Sequence, residues 1–535
     1  MTYSMSDSIS ELEAAMASGN YEVALDLARS ASRRCGGDVY VAYLALHLAN
    51  MVDSCDRVSI AEALQRLVSR DPAPSPFHLD ALVRAWYETG FDQRAAAACQ
   101  TMFARGVFPV SVAGTVVHEI VRSGVAPCAI HELLMSTLLE ASNETMMLEL
   151  LRDYDEERSI KVAKHRNDGR LLRNVKRGLL TANSDATVTV LREADWIALD
   201  NPFRDAEISS AAFVRTNPLG IAVFTQAIVT GGSSVVELSD HSIYCEYLDD
   251  WRWSQFSSWP DARVVVATKH TAVLEPLNME PMELPEGVVL TGPMMNEFGH
   301  LLADTLPRLE SLEDLDPTIP LIITAGSGYA REWFLRVIGE RPLLEIPRGQ
   351  SLILQQAYLP VGRVPIPPHL RRWDWYDPSL SMPTVEGATF LRRKLRGQAA
   401  ATVSVPNRII LDRHKFTQHT MSNEKGLHEL VNRFGFVPVD PADLSIPQQI
   451  ALFAGVDQVV GNYGSAFLNL QWSQPGTRAL GLVPNALSSW AVGQSTYLQA
   501  NSAHLDLFLG TGGNGDAMHG VFAANLEEVE EWLER

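Results

Sequence analysis

From about residue 262 onward, short apolar runs typical of β-strands alternate with segments whose apolar residues recur at helical spacing. The alternation forms two series, one starting near residue 263 and the other near residue 408. Parallel strands need long crossover connections, so this pattern predicts parallel sheets covered by helices. The two series are joined through residues 372–383 and a predicted helix at 384–397. We therefore predict an α/β fold with two Rossmann-like halves that face a cleft.

The predicted elements place specific residues at the carboxyl ends of strands, where open parallel sheets bind their ligands. Shorter strand-like runs between residues 184 and 240 precede the first series. In the first series the predicted strands are 263–267, 287–290, 320–324 and 352–359, and the predicted helices are 299–313 and 329–339. In the second series the predicted strands are 408–411, 436–439, 458–461 and 478–482, and the predicted helices are 423–434, 446–454 and 465–472.

Residues 8–150 follow a different, all-helical pattern. Turn residues stand at positions 19, 53, 90 and 124, which are 34, 37 and 34 residues apart. A period near 34 with one helix–turn–helix unit resembles tetratricopeptide-type repeats. Such repeats either present a concave surface to a partner protein or glycan, or only pack on the next domain. The predicted domains are thus an all-α helical-repeat domain at 1–165 and the two halves at 166–395 and 396–535.

Charge and cysteine usage exclude several classes of protein. A net charge of −20 argues against nucleic-acid binding, because a phosphate backbone would be repelled. The five cysteines are scattered, which fits neither a disulfide framework nor a zinc site and favours a reducing compartment. With no signal-like N-terminus and no long apolar run, we expect a cytoplasmic protein. Residues 152–177 carry nine Lys or Arg and form either a peripheral contact with an anionic membrane or a solvated linker helix.

A glycine-containing turn follows the strand predicted at 458–461. Gly461-x-x-Gly464 leads directly into a helical pattern that starts at Ser465. Glycines let backbone N–H groups approach a ligand closely, and a helix N-terminus carries partial positive charge. The turn therefore suits a phosphate or diphosphate, although an ordinary tight strand-to-helix turn would have the same pattern.

Titratable residues follow two other predicted strands. His300 and Asp304 are four residues apart and so share one face of a helix, where the imidazole could accept a proton and the carboxylate could orient it or act as the base. Arg413 and Lys415 follow strand 408–411 and could neutralise a diphosphate. Asn423 resembles a helix N-cap. The alternatives are a surface histidine with a local partner, a simple cap and solvated cations.

Together these segments resemble glycosyltransferase family 61, which includes bacterial capsular-polysaccharide enzymes and eukaryotic xylosyl- and N-acetylglucosaminyltransferases. The similarity covers residues 290–485, with four motifs in the order that the family has. They are His300-Leu-Leu-Ala-Asp304-Thr-Leu-Pro307-Arg308, Arg413 ten residues before Asn423-Glu424, Gln449-Ile-Ala-Leu-Phe453, and Gly461-Asn-Tyr463-Gly464-Ser465-Ala-Phe-Leu-Asn469. Three positions depart from the family: Tyr463 replaces a His, His419 an Arg and Gly481 a Glu.

The resemblance implies a GT-B fold and inverting sugar transfer, with no metal and no cofactor beyond a nucleotide-sugar donor, here expected to be a UDP-sugar. The second half would hold the donor and the first half a glycan, glycolipid or lipid-linked acceptor. Separately from the resemblance, the repeat domain could mediate assembly into a homo-oligomer. His300 and Asp304 would be catalytic. The implied donor-binding residues are Arg413, Lys415, His419, Asn423, Glu424, Gly461, Tyr463, Gly464, Ser465 and Asn469.

Two other functions compete with this hypothesis. The three departures would also fit a catalytically degenerate scaffold that recruits partners through its repeats. A dinucleotide-dependent dehydrogenase is disfavoured, because neither series opens with G-x-G-x-x-G followed by an acidic residue.

Overall fold

The computed structural model describes a few isolated positions before residue 156, and then residues 156–165, 169–176, 186–198, 202–203, 213–246, 261–277, 281–326, 328–364, 383–400, 405–412, 421–484, 487–512 and 521–535. The chain divides into two compact units, Met1–Arg166 and Asn167–Arg535. The first unit contains helix α1 (Glu156–His165), and its predicted repeats lie outside the described residues. The domain limits predicted at residues 165 and 395 stay predictions.

The second unit begins with strands that mostly form one large sheet. These strands are β1 (Leu171–Lys176), β2 (Ala186–Arg192), β3 (Trp196–Ala198), β4 (Phe213–Arg215), β5 (Leu219–Thr230), β6 (Val236–Glu237), β7 (Ile243–Tyr244), β8 (Val264–Ala267), β9 (Thr271–Leu274), β10 (Met282–Leu290), β11 (Leu321–Thr324), β12 (Leu343–Ile346) and β13 (Ser351–Pro360). The order is β12-β11-β10-β13-β5-β6-β7-β1-β9-β8, with β2 paired to β5 and β3 paired only to β4.

Only part of this first sheet is parallel. Strands β10 to β13 run parallel to one another, and β5 joins β13 in antiparallel orientation. The strand predicted at 263–267 forms as β8, but its place in the parallel series is wrong. It pairs with β9 in antiparallel orientation, because the turn between them is too short for a crossover connection. Strand β12 was not predicted.

The helix predicted at 299–313 is wrong in type. A short α-helical turn, α2 (Phe298–His300), is followed by a π-helical turn at Leu301–Thr305 and a 3₁₀ segment at Pro307–Leu312. Pro307 has no N–H to donate, so a regular α-helix cannot continue through it. Two longer helices of this half are α3 (Gly328–Ile338) and α4 (Val385–Leu395).

The second series forms a separate six-stranded sheet, with parallel strands at every predicted position. Its strands are β14 (Arg408–Leu411), β15 (Val437–Val439), β16 (Gln458–Asn462), β17 (Arg478–Pro484), β18 (His504–Gly512) and β19 (Phe522–Ala523), and its helices are α5 (Glu424–Arg433), α6 (Ile446–Gly455), α7 (Ser488–Gln494) and α8 (Leu526–Glu534). The order is β15-β14-β16-β17-β18-β19, and only β19 is antiparallel to its neighbour. The predicted helix 465–472 is a 3₁₀ helix, Ser465–Trp472.

Each sheet contains a point where the strand order reverses. In the second sheet, β14 lies between β15 and β16, the next two strands of the chain. In the first sheet, β10 lies between β11 and β13. Ligands of open α/β sheets bind outside the carboxyl ends of the strands at such points. The mixed α/β class is confirmed. The carboxyl ends of the strands around β10 and β14 are where we expect a ligand site.

The two sheets share one apolar core. The indole rings of Trp333 on α3 and Trp472 after β16 are stacked, with centroids 6.1 Å apart and planes 14° apart. Gln449 on α6 donates a hydrogen bond of 3.0 Å to the Tyr329 hydroxyl. Aromatic pairs at such distances add about 0.5–1.5 kcal/mol beyond the free energy of burial. Within the described part of the chain, no helix has the length and apolar character needed to cross a membrane.

Candidate active site at the carboxyl ends of the two sheets

The turns that follow β10 and β16 touch each other. A Cβ atom at Gly299, on the short helix after β10, would lie 2.7 Å from the hydroxyl oxygen of Ser465, which begins the 3₁₀ helix after β16. A side chain at position 299 would therefore require the Ser465 hydroxyl or one of the two turns to move. His300 is half-buried and directly follows the glycine at this contact. The structure thus brings together one predicted catalytic residue and one predicted donor-binding turn.

A π-helical turn separates His300 from the rest of its helical segment. The N–H of Leu306 donates to the carbonyl of Leu301 over 2.9 Å, a spacing of five residues. Turns of this kind occur frequently at functional sites. Asp304 lies inside the turn, and its side chain is only 5% exposed.

Asp304 is held by an arginine one turn later. The Arg308 guanidinium donates from Nε to Oδ1 over 3.0 Å and from Nη2 to Oδ2 over 2.6 Å, which is a bidentate pair. Both carboxylate oxygens are therefore engaged. Protonation of Asp304 would remove the charge that strengthens this pair with Arg308, so His300 is the stronger candidate for proton transfer.

A second carboxylate completes this buried network. Arg308 is 1% exposed and also donates through Nη1 to Glu246, whose other oxygen accepts from the N–H of Gly362. Burial raises the pKa of the Glu246 carboxyl, although the charge of Arg308 opposes this. Sequence reasoning missed Glu246, because no motif links it to an arginine 62 residues further along the chain.

On the donor side, the three predicted basic residues lie outside the described residues. These are Arg413, Lys415 and His419. The last described residue before them is Asp412, whose N–H donates to the carbonyl of Val439 over 2.9 Å. Asp412 thus follows β14 at the switch point, and Arg413 is the next residue of the sequence. Their role in donor binding stays a prediction.

Two predicted donor-binding asparagines make structural bonds. Asn423 precedes α5 as predicted but forms no capping bond with it. Instead its amide group donates to the carbonyl of Ala524 over 2.8 Å and accepts from the N–H of Ala524 over 3.0 Å. Asn469 is fully buried and accepts a hydrogen bond of 3.2 Å from the Trp472 indole. These contacts hold helices in place.

Tyr463 lies in an apolar cluster rather than at the surface. Its side chain is 2% exposed, and its ring centroid is 4.9 Å from that of Phe467 and 5.8 Å from that of Trp490. A Cβ atom at Gly481 would come within 2.7 Å of the Tyr463 ring. Tyr463 and Gly481 are two of the three departures from the family pattern, and they pack against each other. The Tyr463 ring occupies the space that a side chain at position 481 would need.

The glycines of the turn have different roles. A Cβ atom at Gly461 would lie 2.9 Å from the Cβ of Leu411, so this position needs glycine where β16 passes β14. Gly464 has a φ of −179°, an extended conformation that any residue can adopt. The turn therefore approaches its neighbour closely at Gly461, while Gly464 leads into the 3₁₀ helix.

Residues 298–480 match the family model described as Glycosyltransferase 61. This match supports a glycosyltransferase. The matched region begins at α2 and ends within β17, so it contains both turns that meet at Gly299 and Ser465. It confirms the resemblance to family 61 for this part of the chain. No curated protein matches the chain.

Among the described residues, one group of side chains within the matched region could hold a metal ion. The ligand atoms of Asp412, Glu424 and His428 all lie within 4.8 Å of one another. Glu424 is exposed at the start of α5, and His428 follows one turn later. Carboxylate oxygens and an imidazole nitrogen are ligands that divalent cations accept, but exposed acidic groups of this kind are also common without an ion.

Among the described residues, five cations of the basic segment predicted to contact membranes are buried or paired. Arg152 is buried. Four other cations form ion pairs, namely Lys161 with Glu157, Arg170 with Glu275, Arg173 with Glu237 and Lys176 with Asp240. Such pairs neutralise charge that an anionic surface would otherwise attract, so less of this segment is available to a membrane than its composition predicts.

Proposed function

We propose that this protein is an inverting glycosyltransferase that moves a sugar from a nucleotide diphosphate donor to a glycan acceptor. The observation that carries the proposal is the contact between Gly299 and Ser465 at the carboxyl ends of the two sheets. It brings the segment that carries His300 to a turn at the switch point of the second sheet, where an anionic ligand would bind. The family match at residues 298–480 supports the reaction class.

In the proposed mechanism, the two halves form a GT-B arrangement with the donor on the second half. The acceptor hydroxyl oxygen attacks the anomeric carbon of the donor, and the bond from that carbon to the diphosphate oxygen breaks. His300 accepts the hydroxyl proton. Arg413, Lys415 and the N–H groups of the Gly461–Ser465 turn stabilise the charge that grows on the diphosphate. Attack from the face opposite the leaving group inverts the anomeric configuration.

Arg308 keeps Asp304 in its ion pair throughout this mechanism. Asp304 therefore positions the turn that carries His300, and the imidazole performs the proton transfer. Because two cations carry the leaving-group charge, the mechanism needs no metal ion.

The proposal extends to the substrates and location of the protein. The donor is a UDP-sugar, and the acceptor is a polysaccharide, glycolipid or lipid-linked glycan in the cytoplasm. Peripheral contact with the inner membrane face through residues 152–177, protein partners at residues 1–150 and assembly into homo-oligomers belong to the same proposal.

A panel of nucleotide sugars tests the proposal. A bound donor should raise the melting temperature of the full chain by mass action, and the donor that does so should then be consumed in a turnover assay. Arg413→Ala should weaken donor affinity, whereas His300→Ala should lower kcat with a smaller effect on binding. Arg331→Gln, which removes an exposed pair with Glu345, is the matched control and should change neither. Wild-type behaviour in both site variants would refute the assignment.

A catalytically silent scaffold is the second candidate. It is favoured by the positions of Tyr463, Asn423 and Asn469, because each stands at a position of a family motif and each is engaged in packing or structural hydrogen bonds. This candidate predicts that a nucleotide sugar binds without turnover under any acceptor condition. Transfer of sugar to any acceptor would exclude it.

A further inference from the structure

Trp196 on β3 has the most exposed large apolar side chain among the described residues. It is 62% exposed, whereas the next residue, Ile197, is only 6% exposed. Successive side chains of a strand point to opposite faces, so β3 buries Ile197 and turns the Trp196 ring toward solvent. Exposure of this ring is therefore a property of the strand and not of a loose loop.

The hairpin of β3 and β4 lies where the two halves meet, on the ligand side of both sheets. Ile197 and Val214 form a buried cluster with Val364, and Val492 packs against this cluster. Val364 comes shortly after the end of β13, and Val492 lies on α7, which follows β17. Ligands of open parallel sheets bind at the carboxyl ends of such strands. The residue next to Trp196 is thus anchored at the ligand edges of both sheets.

Two further contacts connect this region to the second half. Trp490, also on α7, packs against Tyr463 of the predicted donor-binding turn, with ring centroids 5.8 Å apart. The segment after β3 reaches the second sheet, because the N–H of Leu507 on β18 donates to the carbonyl of Pro202 over 2.9 Å. Contacts with both halves therefore fix the position of β3, and with it the position of Trp196.

Asp195 holds a carboxylate against the backbone of Trp196. The N–H of Trp196 donates to Asp195 Oδ1 over 2.7 Å. Thr216 fixes the Asp195 backbone, since its N–H donates to the Asp195 carbonyl over 2.8 Å and its hydroxyl accepts from the Asp195 N–H over 3.0 Å. Asp195 is exposed, and no donor among the described residues reaches its Oδ2. Adjacent residues therefore offer an accessible aromatic ring and an accessible acceptor oxygen.

The surroundings of Trp196 do not form a continuous apolar patch. Surfaces that dock proteins are usually contiguous apolar areas of several hundred Å². Three exposed charged residues separate Trp196 from the exposed apolar residues of β2, namely Arg192, Glu193 and Asp195. A ligand at this position must therefore combine an apolar face with polar groups at its edge.

A neutral sugar has this combination. One face of a pyranose ring consists of C–H groups, which the negatively charged face of an aromatic ring attracts, and the hydroxyl groups at its edge can donate to a carboxylate. A sugar that carries a carboxylate or phosphate would meet the like charges of Glu193 and Asp195. The one nearby cation in this stretch, Arg192, is already paired with Glu310 over 2.8 Å.

We propose that Trp196 and Asp195 form a subsite for one neutral sugar unit of the acceptor glycan. The C–H face of the sugar stacks on the indole, and a hydroxyl group donates to Asp195 Oδ2. Consecutive Cα atoms are about 3.8 Å apart, so a single sugar unit can contact both residues. The indole transfers no proton, and the subsite therefore acts in acceptor recognition. This inference rests on the proposed function and names the class of its acceptor.

Saturation-transfer NMR on the full chain tests the inference with methyl glycosides as probes. Methyl β-glucoside, β-galactoside and β-xyloside represent neutral sugars, and methyl β-glucuronide represents an anionic one. At least one neutral glycoside should bind the wild type, and more tightly than the glucuronide does. Trp196→Ala and Asp195→Ala should each weaken this binding by about tenfold. Trp196→Phe keeps an aromatic face and should weaken it by no more than about threefold.

A matched control removes a different exposed apolar side chain. Met282 is 45% exposed at the start of β10, the end of the strand opposite to the candidate site. Met282→Ala should bind the glycosides as the wild type does. Because Trp196 is exposed, its variants should also keep the melting temperature of the wild type.

Two further measurements separate this inference from the proposed function. Donor affinity, measured by thermal stabilisation with nucleotide sugars, should be unchanged in Trp196→Ala. In a transfer assay, the KM for the acceptor should rise about tenfold with little change in kcat, because the lost contact is equally strong in the ground state and the transition state. If nucleotide sugars are neither bound nor consumed while the glycoside results hold, the sugar subsite stands and the transferase proposal fails.

Three results would overturn the inference. One is equal glycoside binding by the wild type and by either Trp196→Ala or Asp195→Ala. Another is preferential binding of the glucuronide, which would make this region an anion site. The third is the absence of any glycoside binding to the wild type. If sedimentation velocity then showed self-association that Trp196→Ala abolishes, the exposed ring would instead dock a second copy of the chain.

Discussion

At the carboxyl end of β10 the first sheet places a buried network of charged side chains, whereas the second sheet places an apolar cluster at the corresponding end of β16. The first network joins Arg308 to Asp304 and Glu246. The second cluster packs Tyr463 against Phe467 and Trp490. Both ends stand at switch points, and both contain residues that match family motifs.

The difference shows that matching a motif does not by itself assign a role. In the first sheet, Asp304 and Arg308 keep the residue types of the family and form an ion pair that orders the turn beside His300. In the second sheet, Tyr463 departs from the family, but Gly481 departs with it and leaves room for the ring. A departure that a neighbour compensates is weaker evidence of lost activity than an isolated one.

The largest effect is expected from Arg308→Met. This change leaves two buried carboxylates without their cation, which should lower the free energy of unfolding by about 3–5 kcal/mol. Urea denaturation followed by tryptophan fluorescence measures it. The exposed pair of Arg331 and Glu345 provides the comparison, and Arg331→Gln should cost no more than about 1 kcal/mol. Equal costs for the two variants would show that the network contributes no more than a surface ion pair.

The contact that joins the two ends should have the next largest effect. In Gly299→Ala the new methyl group would meet the Ser465 hydroxyl at 2.7 Å, so that either the hydroxyl rotates away or the two turns separate, and we expect separation. Misplacing His300 by about 1 Å should lower kcat by up to about 100-fold, with little change in melting temperature.

A second substitution sharpens this experiment. Ser465→Ala removes the oxygen that the methyl group meets and leaves a Cβ at 3.4 Å, an ordinary contact. The double variant should therefore be more active than Gly299→Ala alone, once the effect of Ser465→Ala itself is subtracted. Simple additivity of the two changes would mean that the turns do not act together.

Within the second sheet, Gly481→Ala should lower the free energy of unfolding by about 1–3 kcal/mol through overpacking against Tyr463 and Leu507. Tyr463→His should relieve part of this cost, since a smaller ring leaves more room beside position 481. A double-mutant cycle measured by urea denaturation should give a coupling free energy of about 0.5–3 kcal/mol. Zero coupling would separate the two departures and strengthen the scaffold candidate.

The sequence predicted the parallel second sheet well because its strands are short apolar runs bounded by turn residues. It failed for β8 and β9, where the apolar run looks the same but the connection decides the orientation. It predicted a regular helix at 299–313 because helical spacing does not distinguish α-helical from π-helical turns. The site was only partly predictable, since Glu246 meets Arg308 through a tertiary contact that leaves no local pattern.

The smallest effect is expected from removing metal ions. This experiment tests whether the carboxyl end of the second sheet needs a metal ion to neutralise the leaving diphosphate. If Arg413 and Lys415 alone neutralise the leaving diphosphate, the chelator ethylenediaminetetraacetate should change the initial rate of transfer by less than about twofold. His428→Ala, which removes one side chain of the Asp412, Glu424 and His428 group, should then be equally active with and without added Mn²⁺. The opposite result would be loss of activity with chelator, restored by Mn²⁺ in the wild type but not in His428→Ala. In that case the second end would use a bound cation where the first uses Arg308, and both ends would depend on a positive charge held by paired carboxylates.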